Sequence, residues 1–313
     1  MEPPAVEELG RGRLLLDLGF RDHEGLISAY LLPGDTGWTL VETGPASCRE
    51  HLLTALARAG VEPQQVERIL VTHIHLDHAG GLGAIAGTFP RATMYAHTDG
   101  IRHLVDPTRL IASARRAWGA AADPLWGPIL PVPAARLVPL QGGERLDVVG
   151  GSVEVIATPG HARHHLSFFD SATRSLLTGD SAGVRVTGLW RPRPAIPPPD
   201  LDLELLFSSL EHMAALEPER LLYSHFGAAG EAVGGLRRYR DTVVEWRDAA
   251  LAAARTSATV EAVAGALQEY ETRQAAADGS PPPAEDRGTL VSGYDLAAQG
   301  LLRYFELRGL LSG

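Results

Sequence analysis

The chain has 313 residues, 45% hydrophobic and 21% charged, with a formal net charge of -10; this is the balance of a soluble globular protein with a sizeable core, and its acidic sign argues against nucleic acid as a partner. All 28 cationic residues are Arg and Asn is absent, which excludes Schiff-base and lysine-base chemistry and leaves any oxyanion donor to a metal, a backbone N–H, or Arg, His, Tyr, Ser or Thr. Cys48 is the single cysteine, the start Met1 to Glu8 lacks the basic and apolar segments of a signal peptide, and no apolar run approaches membrane length, so a cytoplasmic protein with no disulfide and no membrane partner is expected.

In chain order, residues 13 to 18, 27 to 32 and 38 to 41 are short β-like runs broken by Gly, Pro and Asp, and they predict a meander. Ser47 with Glu50 three residues on reads as a capping box opening a helix through Leu52, Leu53 and Leu56 to Gly60. Residues 66 to 71 predict a strand, Ala79 to Phe89 a short helix, and Thr93 to Ala96 another strand. Residues 99 to 134 carry apolar residues at helical spacing and leave through Pro124, Pro128, Pro131 and Pro133, the pattern of a helical insertion. Strands are expected again at Val153 to Ile156, Leu166 to Phe169 and Ser175 to Leu177, the last two joined by the Asp170 to Arg174 turn. Trp190 to Pro199, with five prolines and two arginines, predicts a stiff surface flap. A helix over Leu203 to Leu216 and a strand over Arg220 to Tyr223 follow.

From about residue 236 the β signal ends. Helices are expected through Leu236, Tyr239, Val243, Trp246 and Ala250, over 258 to 275, and over 293 to 309. A flexible linker falls near 278–287. The division is a catalytic domain over 1–235, with its insertion at 99–134, and a helical region over 236–313.

The stretch Thr72-His-Ile-His-Leu-Asp-His-Ala-Gly-Gly81 crowds four potential metal ligands into six positions after an apolar run. On extended chain, the spacing of two between His73 and His75 puts both imidazoles on one face. Asp77 and His78 are adjacent and would diverge on a strand, so sharing one centre requires a bend into a helix, which Gly80 and Gly81 allow. Three later β-like runs also end in polar residues: Val155 to Gly160 before His161, Leu176 to Gly179 before Asp180, and Leu221 to Ser224 before His225. In layered α/β folds ligands gather at the carboxyl ends of strands. Seven ligands are too many for one tetrahedral zinc and suit two metals with a bridging carboxylate.

These segments, in this order, resemble the metallo-β-lactamase superfamily over roughly residues 10 to 230. The resemblance implies an α/β (α+β) chain folded as a four-layer αβ/βα sandwich with a helical insertion and a C-terminal helical extension. It implies that His73, His75 and His161 hold one metal, that Asp77, His78 and His225 hold the other, and that Asp180 bridges them. The cofactors expected are two divalent ions, zinc first, with iron or manganese as alternatives. Members usually carry Asp where this chain has Glu42, which questions the orientation of that loop.

The chemistry expected of such a centre is attack by a metal-bridged hydroxide on an ester, lactone or thioester of a small-molecule substrate, with Asp77 carrying the proton to the leaving group. The segment Gly179-Asp-Ser-Ala-Gly-Val-Arg185 lacks the Cys- and Arg-containing continuation of glutathione-thioesterase members. The alternatives are a phosphodiesterase or RNase-type metallo-hydrolase and a mononuclear iron persulfide dioxygenase. The tail over 258–311 resembles the small winged-helix-like C-terminal domain of some members. His164 and Arg185 are candidates to bind substrate; His165, Arg191, Arg193 and His23 are further candidates for the cleft, and Tyr223 reads as core.

Overall fold

The computed structural model describes residues 5–187, 189, 191–280 and 287–311. Strands β1 (Val6–Gly10), β2 (Arg13–Asp17), β3 (Ser28–Pro33), β4 (Trp38–Val41), β5 (Val66–Leu70), β6 (Thr93–His97) and β7 (Leu137–Leu140) form one sheet in chain order. β1 to β4 run antiparallel and β4 to β7 parallel. The second sheet has the order β13-β12-β11-β10-β9-β8, built from β8 (Arg145–Val148), β9 (Gly151–Ala157), β10 (Leu166–Asp170), β11 (Ser175–Gly179), β12 (Arg220–Tyr223) and β13 (Ala228–Ala229). The two sheets face one another with helices outside, the expected sandwich.

Alternation along the strands produces the layers. On β2, Leu15 points between the sheets, where it joins Tyr30, Val41, Val155, Phe168 and Leu177. Its neighbour Leu16 points outward to α1 (Arg49–Arg58), joining Leu52 and Leu56. A period of two thus serves two cores at once. The outer face of the second sheet, through Ile156, Leu176 and Leu221, packs on α7 (Leu203–Ala215), α8 (Ala232–Thr256), α9 (Val260–Ala277) and α10 (Tyr294–Leu307). Leu206 of α7, Trp246 of α8 and Leu301 of α10 lie in that same core. Among the described residues the tail over 258–311 is α9, a 3-10 turn (Arg287–Leu290) and α10 without a strand, so no winged element accompanies it.

The structure departs from the sequence reading locally. Ser47 caps no helix: its hydroxyl donates to the carbonyl of Leu125 at 2.8 Å, and α1 starts at Arg49 without a side-chain cap. The helix expected over 79–89 is two single turns, α2 (Leu76–Ala79) and α3 (Leu82–Ile85), separated where Gly81 N–H donates to Gly44 O at 2.9 Å. A Cβ on Gly81 would lie 2.9 Å from that carbonyl. The insertion is α4 (Thr98–Val105), α5 (Thr108–Trp118) and α6 (Ala122–Trp126). β1, β7, β8 and β13 were not anticipated. Residues 281–286 of the expected linker and Trp190 of the flap lie outside the described residues.

Candidate metal centre

The seven residues singled out by the sequence meet at one place. β5 ends at Leu70, and the chain stays extended through His75 (φ -63°, ψ 153°) before α2 begins, which turns Asp77 and His78 toward the same point as His73. The segment after β9 brings His161, Gly179 at the end of β11 leads to Asp180, and Ser224 after β12 leads to His225. Gly160 is required for this approach: at φ 138° it passes so close to α7 that a Cβ would lie 2.4 Å from Leu206 Cα.

Two clusters result. His161 Nε2 lies 3.2 Å from His73 Nε2 and 2.9 Å from His75 Nδ1, and His73 Nε2 lies 2.9 Å from His75 Nδ1. Asp77, His78 and His225 form the second, with Asp77 Oδ2 3.9 Å from His78 Nε2 and 3.7 Å from His225 Nε2. Asp180 stands between them. Its Oδ1 is 3.3 Å from both His78 Nε2 and His225 Nε2, and its Oδ2 is 3.5 Å from His161 Nε2.

The hydrogen bonds around the centre set which nitrogens are bare. His161 Nδ1 donates to Ala195 O at 2.9 Å, His78 Nδ1 donates to Glu42 Oε1 at 3.1 Å, and His73 Nδ1 donates to Thr72 Oγ1 at 3.0 Å, whose own hydroxyl donates to Glu42 Oε1 at 2.6 Å. Each of these bonds leaves Nε2 as an acceptor. His73 Nε2 and His161 Nε2 therefore face each other as lone pairs, an arrangement that repels unless a cation lies between them. A tetrahedral zinc with Zn–N bonds of about 2.0–2.1 Å holds its ligand nitrogens roughly 3.3 Å apart. His78 Nε2 and Asp180 Oδ1 are buried and have no hydrogen-bond partner. The donor set fits divalent cations.

The electrostatics agree. Burial, reinforced by the neighbouring imidazoles, holds His73 and His75 well below the usual imidazole value. Burial would raise the Asp180 carboxyl, but His78, His225 and His161 around it outweigh burial and hold it well below the carboxylate range. Burial would lower His78, and Asp180, Asp77 and Glu42 reverse this and raise it. Neutral His73 and His75 beside an ionised Asp180 are in the protonation state that metal binding needs, and a cation at His78 Nε2 would take the place of the proton that its carboxylate neighbours favour there.

Two residues beyond the seven organise the surroundings. Glu42, at φ 70° and 1% exposed, also accepts from Ser224 Oγ at 2.9 Å, so one carboxylate oxygen ties together the segments bearing His73, His78 and His225. His165 does not face the cleft. Its Nε2 accepts from the Asp180 N–H at 3.0 Å while its Nδ1 meets Thr158 Oγ1 at 2.8 Å, fixing the Asp180 turn.

The centre opens into a cleft of about 1020 Å³ walled by the insertion, by Pro197 to Pro199 and by residues near the start of α10. His164 lines it, 9% exposed, with its pKa lowered to about 4 mainly by burial. Arg185 is elsewhere: its guanidinium donates to Phe226 O at 3.1 Å and bounds no part of the cleft. His23 is not among the cleft's lining residues either. Arg193 is buried and donates to both carboxylate oxygens of Glu271 at 3.0 Å, and Arg191 donates to Asp278 at 2.9 Å, so the flap arginines clamp the C-terminal helices instead. Tyr223 is core, its hydroxyl pushed up to about 12 by burial.

The profile described as the Metallo-beta-lactamase superfamily matches residues 24–225. The chain belongs to the metallo-beta-lactamase superfamily. It is 28% identical over 191 residues to a metallo-beta-lactamase fold-containing protein of Sulfurisphaera tokodaii, covering 58% of this chain and 70% of that one. It is 29% identical over 195 residues to a hydroxyacylglutathione hydrolase of Aeromonas hydrophila, covering 62% of this chain and 58% of that one. Among solved structures, a beta-lactamase domain protein from Burkholderia ambifaria superposes over 97% of this chain and 90% of its own, with a TM-score of 0.66 at 22% identity. No helix among the described residues of this superfamily member is long and apolar enough to cross a membrane.

Proposed function

We propose that this chain is a dinuclear metal-dependent hydrolase that cleaves an ester, lactone or thioester. The observation that carries the reading is the position of Asp180, whose two oxygens face two separate ligand clusters. In this reading His73, His75 and His161 hold one ion, Asp77, His78 and His225 hold the other, and Asp180 reaches both. When bound, two divalent ions, zinc foremost, would supply Lewis acidity toward a carbonyl oxygen and lower the pKa of water to about 7.

The chain supplies the rest. Asp77 lines the cleft with its Oδ2 toward His78 and His225, which leaves Oδ1 to take a proton from the attacking water and return it to the leaving group. His164, kept neutral at pH 7 by burial, offers an uncharged hydrogen-bonding group at the cleft wall. Glu42 and Ala195 O hold the tautomers of His78 and His161. The likeness to hydroxyacylglutathione hydrolases favours thioesters among the candidates.

The test is elemental analysis of the purified protein together with parallel assays on lactones, thioesters and phosphodiesters. Two equivalents of metal with turnover of a carboxylic ester class supports the proposal. Phosphodiester turnover alone, or one iron with oxygen uptake, replaces it.

A further inference from the structure

One part of the cleft wall is cationic in a chain that is acidic overall. α5 carries Arg109 and Arg116 seven residues apart, two helical turns and one face, and α4 adds Arg102 and His103; all line the cleft that reaches His75, Asp77 and Asp180. None of the three guanidiniums stands in an ion pair among the described residues; Arg109 acts on Asp106 only at longer range. Among the described residues the ion pairs of this region are Arg163 with Asp200 at 2.7 Å and Arg115 with Asp123 at 3.8 Å, and neither uses Arg102, Arg109 or Arg116. Arg102 donates to His103 Nε2 at 3.2 Å and Arg116 to Ser113 Oγ at 2.8 Å, both uncharged acceptors. Asp106 is hydrogen-bonded by the Thr108 N–H and hydroxyl and also feels Arg109, while Asp99 and Asp200, which line the cleft too, act together on Arg163. The field is felt by His103, which burial and then Arg102 and Arg109 push below its ordinary value.

The same cleft is apolar along Leu110, Trp118, Ile196, Val291 and Leu296. Trp118 stands 39% exposed there, edge-on to Trp126 at 5.0 Å. A volume of about 1020 Å³ exceeds what a scissile carbonyl and a short acyl chain fill.

We infer that the substrate of this hydrolase is an amphipathic acyl compound bearing a phosphate or carboxylate remote from its scissile bond, with the anion held by Arg102, Arg109 and Arg116 and the apolar portion against Trp118. The inference rests on the hydrolase reading for the word acyl and on the cleft alone for the anion. Guanidinium forks match carboxylate and phosphate oxygens in pairs, and among the described residues no protein carboxylate pairs with Arg102, Arg109 or Arg116 within ion-pair distance. A neutral lactone would use none of these charges. A long polyanion would meet the repulsion of a chain with net charge -10, whereas one small anion meets only the local field.

The test separates anion binding from turnover. Isothermal titration of the full chain, metal-free and zinc-loaded, compares octyl phosphate, octanoate and octanol. Binding of either anion at least tenfold tighter than octanol, in both metal states, is expected, and the relative strength of the two anions tells phosphate from carboxylate. The double variant R109E/R116E, with R109Q/R116Q as the milder companion, is expected to erase the preference while leaving octanol binding unchanged. Equal binding of all three compounds overturns the inference. So does an anion preference that survives both variants, which would locate the anion at the metal centre. Anion binding as expected, with no turnover of octanoyl thioesters of 3-mercaptopropionate and N-acetylcysteamine, of octanoyl esters or of lactones, would remove the hydrolase reading and leave the anion site standing.

Discussion

Glu42 Oε1 accepts from His78 Nδ1 at 3.1 Å and thereby holds His78 Nε2 toward Asp180. The same oxygen receives the hydroxyls of Thr72 and Ser224. Glu42→Gln keeps the shape but removes the charge that complements His78 N–H. Metal affinity is expected to fall about 10–100-fold with the circular dichroism unchanged, the usual cost of losing a partner behind a metal-binding histidine. Competition with a fluorescent chelator measures it, and undiminished affinity would show that Glu42 does not govern the site.

Asp77→Ala removes a cluster member that also lines the cleft. The variant is expected to keep close to one metal equivalent and to lose most turnover. Elemental analysis beside a rate assay decides the matter: full metal content with wild-type rate would dismiss both roles.

Acid should destabilise the metal-free chain. His73, His75, His161 and His165 sit below 6.5 chiefly through burial, and His164 falls to about 4 for the same reason. The unfolded chain therefore takes up these protons first, so stability is lost as pH drops below about 6.5. Asp180, depressed in the folded state, adds to the loss at still lower pH, near and below the carboxylate range. His78 opposes them, since a raised histidine stabilises at low pH and loses that contribution only as pH rises through its folded value. With His97 and His103 also lowered, seven depressed imidazoles stand against one raised. The urea midpoint of the metal-free protein is expected to fall between pH 7 and pH 5, and a flat or rising midpoint would contradict this balance.

Arg193→Met removes the guanidinium bound by Glu271, by Ser292 O at 3.2 Å and by Tyr294 Oη at 3.1 Å. Glu271 keeps the Tyr294 hydroxyl at 3.1 Å but loses its charged partner while largely buried, at a cost of about 3 kcal/mol that a urea titration reads directly. Tyr239→Phe takes away the acceptor of the Ala195 N–H, a 3.2 Å bond, at about 1–3 kcal/mol for the stranded donor. Because Ala195 O orients His161, both variants are also expected to weaken metal binding, whereas a merely structural role would leave chelator competition unmoved.

The candidate site was legible because its seven residues follow apolar runs at four strand ends, a pattern carried by local sequence. What surrounds them was less so. β7 reads Leu-Val-Pro-Leu and β1 carries two consecutive glutamates, compositions tolerated at sheet edges but without the alternation of a half-buried strand. Ser47 looked like a cap and is recruited by Leu125, 78 residues away. Arg185 and Arg193 looked like solvent-facing anion binders, yet an arginine's apolar stem lets its head reach partners deep in the fold, and Glu271 is 78 residues from Arg193. The arginines that do line the cleft had a signal, the spacing of seven between Arg109 and Arg116 on an amphipathic segment, which has meaning only once the insertion is seen to wall the cleft.

The carbonyl of Ala195 has a consequence for where this protein can be cut. It steers a candidate ligand, yet its own placement depends on Tyr239 from α8, while its neighbour Arg193 is gripped from α9 and α10. The helices after residue 231 are thus brackets for the candidate metal centre, and a fragment trimmed to the sandwich would retain every candidate ligand while surrendering the scaffold that aims one of them.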